Sequence, residues 1–214
     1  MFAPVPSWID MGSVDLQTEE AWASVLCAFI TVGAAVTVGW IMTKVMKSKQ
    51  FLVSLPVILV LSGIIALALY FRYGWSVRTA QGILLMLVLL YASCSDLTSH
   101  TMDDCLWVMV ALLGLYSIST VGLPSMLTGA VMVFMPQYLT ALLSKKALGG
   151  ADIKLSVALA FLLGWERGLA ALIAGLLGAV IVMSIIQTDR KKRKKQPFAL
   201  IPFLSAAAMA VFFI

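Results

Sequence analysis

Ala147-Leu148-Gly149-Gly150-Ala151-Asp152-Ile153-Lys154-Leu155 separates two long apolar runs and puts an aspartate at the edge of the second. A carboxylate in the middle of a spanning helix costs about 3 kcal/mol on insertion scales, so an acid at such a boundary marks a site with a partner. The two glycines and the alanine before it permit a tight turn and close backbone approach, which can aim Asp152 sideways into a helix bundle. A second acid stands at another apolar boundary, Asp96 in Ser93-Cys94-Ser95-Asp96-Leu97. Two membrane-embedded aspartates together are equipment for activating water.

Composition fixes the class in which these acids sit. Hydrophobic residues make up 62% of the 214-residue chain and charged residues 12%, with a mean hydropathy of +1.02. A soluble domain carries about a quarter charged residues. The expected fold is therefore all-α, a polytopic membrane helix bundle of about eight transmembrane helices.

The first 20 residues contain Pro4, Pro6, Asp10, Asp15, Glu19 and Glu20 but no lysine or arginine, so they do not read as a cleaved signal peptide. Apolar runs follow at 21–43, 51–71, 79–95, 105–120, 125–143, 153–165, 169–187 and 197–214. Gly122 and Pro124 interrupt the pattern before the fifth run, and Glu166-Arg167-Gly168 turns the chain before the seventh. The segment 97–104 reads as a polar loop.

Charge sets the orientation. With the N-terminus outside, twelve basic residues fall on inner loops: Lys44, Lys47, Lys49, Lys145, Lys146, Lys154 and the run Arg190 to Lys195. Only Arg72, Arg78 and Arg167 fall outside, a clear positive-inside bias. Asp96 and Asp152 then lie in one layer near the cytoplasmic face. The net charge of +5 and the basic loop 190–195 are topology signals, with lipid headgroups as a further contact, and no nucleic-acid partner is implied.

Other conspicuous residues read as structural. Cys27, Cys94 and Cys105 form no CxxC pair, so neither a metal site nor a disulfide framework is indicated. His100, the one histidine, reads as a solvated loop residue. Gly33/Ala34 and Gly175/Gly178 read as helix-packing faces.

Together, three segments resemble the type IV prepilin peptidase family. Gly149-Gly150-Ala151-Asp152-Ile153-Lys154-Leu155 resembles its GxGD motif, with Ala151 in place of the second glycine. Asp96-Leu97-Thr98-Ser99-His100-Thr101-Met102-Asp103-Asp104 is similar to its first aspartate motif, with Asp103-Asp104 where the family has Pro-Asn. Pro197-Phe198-Ala199-Leu200-Ile201-Pro202-Phe203 resembles its proline-containing entry to the last helix. The resemblance covers 79–214, implying a six-helix peptidase core behind two N-terminal helices in 1–78, all in one membrane domain.

The resemblance implies an aspartic endopeptidase of the cell membrane with Asp96 and Asp152 catalytic and no cofactor. Gly149, Gly150 and Lys154 would support the pair. Lys154 either tunes the acids, holds the loop, or is a snorkelling topology lysine. The implied partners are type IV pilin-like or archaeal preflagellin-like precursors, whose basic leader would be cut at the cytoplasmic face. Two-function members carry a cysteine-paired domain between their first two helices, associated with N-methylation. Here only 44–50 fills that place, so the resemblance implies a peptidase without methyltransferase activity.

Three other readings fit parts of the pattern. A different GxGD intramembrane protease, of the signal-peptide-peptidase or presenilin kind, would share the chemistry, but its first aspartate sits in a Tyr-Asp pair and Ser95-Asp96 is not one. An ion-coupled transporter using Asp96 and Asp152 would place its acids at mid-membrane in two related halves. A membrane assembly subunit would use the aspartates only as helix caps or topology markers.

Overall fold

The computed structural model describes residues 11–48, 55–100, 102–143, 149–188 and 199–214. Nine helices and no strand occur among them: α1 (Met11–Ser48), α2 (Leu55–Tyr73), α3 (Val77–Ser99), α4 (Cys105–Tyr116), α5 (Ile118–Val121), α6 (Leu123–Leu143), α7 (Gly150–Leu163), α8 (Trp165–Thr188) and α9 (Ile201–Phe213). Five stretches are long and apolar enough to cross a membrane: Trp22–Met46, Pro56–Tyr73, Val77–Ser99, Leu123–Leu143 and Trp165–Ile185. The protein is a multi-pass helical bundle. Each of the eight apolar runs yields a helix, the fourth broken at Ser117 into α4 and α5.

Helix α3 is the spine. Of its spanning stretch 56% is buried, against 17–22% in the other four, so it is the long helix most enclosed by protein. It packs on α1, α2, α4 and α9. Helix α7 is the second centre, touching α4, α6, α8 and α9. Leu85, Met86 and Leu89 of α3 and Leu155, Leu159 and Leu162 of α7 belong to one buried apolar cluster. Helices α1 and α2 pack mainly on each other and reach the rest through α3.

Three helices beside the site are short. α4 has 12 residues, α7 has 14 and α9 has 13. A 14-residue helix rises about 21 Å, less than the ~30 Å hydrocarbon core. Helices of that length bring loop and helix-terminal backbone close to the site.

Local chemistry explains where the elements stop, and corrects three sequence expectations. α3 continues past Asp96 to Ser99, because Thr98 and Ser99 return their hydroxyls to the Cys94 and Ser95 carbonyls. His100 then ends it in the left-handed region, φ 51°, donating its N–H to Asp96 O at 3.1 Å; histidine is among the side chains that enter that region most readily. The polar loop is thus shorter than 97–104. The turn before α8 falls at Gly164, not at Glu166-Arg167-Gly168, which form the first helical turn. Gly164 has φ +84°, and a β-carbon there would lie 2.6 Å from Val121 Cγ1, so both backbone and space require glycine. Gly33 and Ala34 are exposed, with nothing near Gly33; α1 instead packs at Gly39, where a β-carbon would meet Ser62 Oγ at 3.1 Å. Gly175 and Gly178 do pack on α9, against Leu204 and Phe203.

Of the basic residues that set the expected orientation, Lys44 and Lys154 on the inner side and Arg72, Arg78 and Arg167 on the outer side are described. Lys49, Lys145, Lys146 and 190–195 lie outside the described residues, as does the side chain of Lys47.

Candidate active site

Asp96 sits one turn before the end of α3 and is buried, 7% exposed. Its Oδ2 accepts the Ile201 N–H at 3.1 Å. Ile201 is the first residue of α9, so its N–H has no partner within the helix. Pro202, which follows, has no N–H to satisfy. A carboxylate from a distant segment therefore serves as the N-cap of α9, favoured further by the helix dipole.

Asp152 lies in the first turn of α7 and is half-buried. Gly149 precedes the helix in extended backbone, φ −70° and ψ 137°, open to any residue. Neither Gly149, Gly150 nor Ala151 has a positive φ, so no glycine-only turn aims the acid. Space distinguishes the two glycines. A β-carbon on Gly149 would stand 3.1 Å from Asp152 Oδ2, whereas one on Gly150 would meet nothing within 4 Å.

The two acids converge on the start of α9. Asp96 holds the Ile201 amide, while Asp152 shares a cavity wall with Leu200 and Leu204. They are within electrostatic reach of one another, the Asp96 charge acting on Asp152. Of the five site residues expected from sequence, Asp96, Asp152 and Gly149 meet in this region. Gly150 contributes no close contact.

Lys154 is elsewhere engaged. Its Nζ donates to Asp104 Oδ1 at 2.6 Å, in an exposed ion pair. The Lys154 ammonium, hydrogen-bonded to it, holds the Asp104 carboxyl below the usual carboxylate range. Asp103 accepts the Tyr91 hydroxyl at 3.2 Å. Both extra acids of the first motif thus have partners of their own, and neither lines the cavity with Asp152.

That cavity, about 310 Å3, lies among α6, α7, α8 and α9. Leu172, Leu176 and Leu204 make an apolar wall; Asp152, Ser156 and Gln137 supply polar groups. Sequence reading passed over the last two. A glutamine inside an apolar run is a signal, since a buried amide needs partners, but Gln137 was absorbed into the fifth run. The Ile201 amide carries no side-chain signal at all.

Fold and site define a polytopic helical membrane protein with two acids brought together where short helices end inside the bundle. Residues 83–184, which include Asp96 and Asp152 and run from α3 through α8, match the type IV leader peptidase family, and the match supports assignment of the chain to the prepilin peptidase family. The family describes a protease of the type IV leader peptidase kind. The proline-containing segment 197–203 lies beyond the matched region. No curated protein and no solved structure gives a significant match.

Proposed function

We propose that this protein is a membrane aspartic endopeptidase that removes the leader of type IV pilin-like or archaeal preflagellin-like precursors at the cytoplasmic face of the cell membrane. The observation that carries the reading is the convergence of Asp96 and Asp152, each inside the family-matched region, on the start of α9. Two nearby carboxylates do not both ionise readily, so they share a proton. The ionised member takes a proton from water as that water attacks the scissile carbonyl carbon. The protonated member donates to the carbonyl oxygen, giving a tetrahedral intermediate. Collapse of that intermediate breaks the C–N bond, with the proton passed to the leaving amine. The pair titrates as a unit, and roles belong to the pair.

The substrate class follows from the setting and the family. An apolar helix can lie in the bilayer against the bundle while a basic leader stays in water. The short 44–50 connection leaves no room for a methyltransferase domain, so the new N-terminus stays unmethylated by this chain.

The test is cleavage of a pilin-type precursor by the purified protein, with and without S-adenosylmethionine, followed by mass analysis of the product. Cleavage at the leader junction with a free N-terminus is expected. Uncleaved precursor with folded protein present rejects the peptidase; a methylated product from purified protein rejects the single-function reading.

A further inference from the structure

The end of the bundle opposite the acids holds a cavity of different chemistry. Helix α3 rises about 27 Å from Arg78, near its start, to Asp96. Leu163 closes α7, whose first turn carries Asp152. Arg78, Ser125, Leu163, Trp165, Glu166 and Arg167 line a cavity of about 410 Å3 between these helix ends and the start of α8.

Two cations in this cavity lack an anion. Among the described residues neither Arg78 nor Arg167 lies within ion-pair distance of a carboxylate, Glu166 included; the ion pair there is Lys154–Asp104. Arg72, by contrast, donates its Nε–H to the Phe213 carbonyl at 3.2 Å. Arg78 is held over aromatic rings, its guanidinium carbon 5.2 Å from the Tyr73 centroid and 5.8 Å from that of Phe212. Such contacts attract the cation without spending its N–H donors on an oxygen. Ser125 Oγ accepts the Trp165 N–H at 3.4 Å, which leaves its own proton for a further acceptor. Glu166 supplies the opposing charge. It is exposed, in the first turn of α8, where the helix dipole favours an acid. The lining as a whole is cationic.

Two guanidinium forks beside a hydroxyl suit a phosphate, whose oxygens accept from arginine in pairs. The surroundings favour a lipid's phosphate over a free one. Trp165 is 42% exposed and Trp75, in the adjoining loop, 65%; tryptophans settle at the level of the headgroups. Helix α6, which supplies Ser125, also exposes Leu123 and Leu127 one turn apart, an apolar track for acyl chains. Basic pockets between membrane helices take anionic headgroups by this chemistry.

We propose that this cavity binds the phosphate of an anionic phospholipid, with Arg78 and Arg167 as its ligands and Ser125 as a further donor. Glu166 opposes the anion and limits its affinity. The bound headgroup ties the start of α3 to the start of α8 from the end remote from the acids. This site stands whether or not the protein is a peptidase.

The experiment uses the full-length protein, purified and delipidated in a neutral detergent. It is titrated with short-chain phosphatidylglycerol, short-chain phosphatidylcholine or inorganic phosphate. Binding is read by native mass spectrometry and stability by thermal unfolding. Phosphatidylglycerol should bind in preference to phosphatidylcholine and raise Tm by about 3 °C or more. Inorganic phosphate at the same concentration should leave Tm within about 1 °C. Arg78→Gln and Arg167→Gln should each weaken phosphatidylglycerol binding about tenfold, the scale of a lost charged hydrogen bond. Glu166→Gln should strengthen it several-fold, so the charge logic is tested even where an arginine variant fails to fold. Equal binding of the two lipids, unchanged affinity in folded arginine variants, or unchanged affinity in Glu166→Gln overturns the site. An equal shift with inorganic phosphate overturns the lipid and leaves a soluble anion as the ligand.

Discussion

Asp96 and Ile201 are 105 residues apart, yet the Asp96 carboxylate accepts the Ile201 N–H at 3.1 Å. One bond thus joins the end of α3 to the beginning of α9, and places the acid of the first motif where the second acid's cavity is walled by Leu200 and Leu204.

Asp96→Asn and Asp152→Asn each remove an ionisable carboxyl while keeping its shape. Asparagine's carbonyl can still accept the Ile201 N–H, so the protein should remain folded. Either change should reduce precursor cleavage by about a thousandfold or more, because members of one catalytic unit are not additive. Expression-matched membranes give the comparison. Substantial activity in Asp152→Asn would refute the pair.

Asp103→Asn and Asp104→Asn should retain cleavage within about threefold of wild type, since surface ion pairs contribute little. Asp104 is 77% exposed on its side chain, and its partner Lys154 is 48% exposed. Lys154→Met should behave like Asp104→Asn, and the double variant should be no worse than either. Loss of activity in Asp103→Asn with activity kept in Asp96→Asn would identify a different first acid.

The adjacent glycines should respond differently to one methyl group. Gly149→Ala brings a β-carbon to 3.1 Å from Asp152 Oδ2 and must displace that carboxylate by a few tenths of an ångström. We expect cleavage to fall about tenfold, on the scale that small misplacements of reacting groups cost. Gly150→Ala enters open space within a helix and should leave activity intact. Equal effects would show that the glycines act through the backbone.

Orientation is tested by single cysteines in a cysteine-free background. Labels at 44–49 and at 190–195 should both react from the cytoplasmic side. Reaction from opposite sides would reject the topology.

The sequence made the helices legible because each depends on a long apolar run, and lipid leaves a chain few other choices. It was weaker at ends and faces. The helix runs through Asp96 because hydroxyls of Thr98 and Ser99 keep the last turn closed. The misplaced turn near Glu166 came from reading charge as a break, when the left-handed Gly164 made it. Gly33 and Ala34 looked like a packing face, yet rotation about the α1 axis is set by α2, and Gly39 meets Ser62 instead. Asp96 and Asp152 stood out as acids at apolar edges. Their meeting point could not be read, because it is a backbone amide of a third segment.

The bond to Ile201 also makes the two oxygens of Asp96 inequivalent. Oδ2 is committed as an acceptor, so a proton resting on this acid is favoured on Oδ1. Asp96 is pinned while Asp152 borders open space, and the pair has a built-in left and right. On the proposed peptidase reading, water and peptide entering from the cavity would meet a directional site, in which α9 is the reference edge that tells one acid from the other.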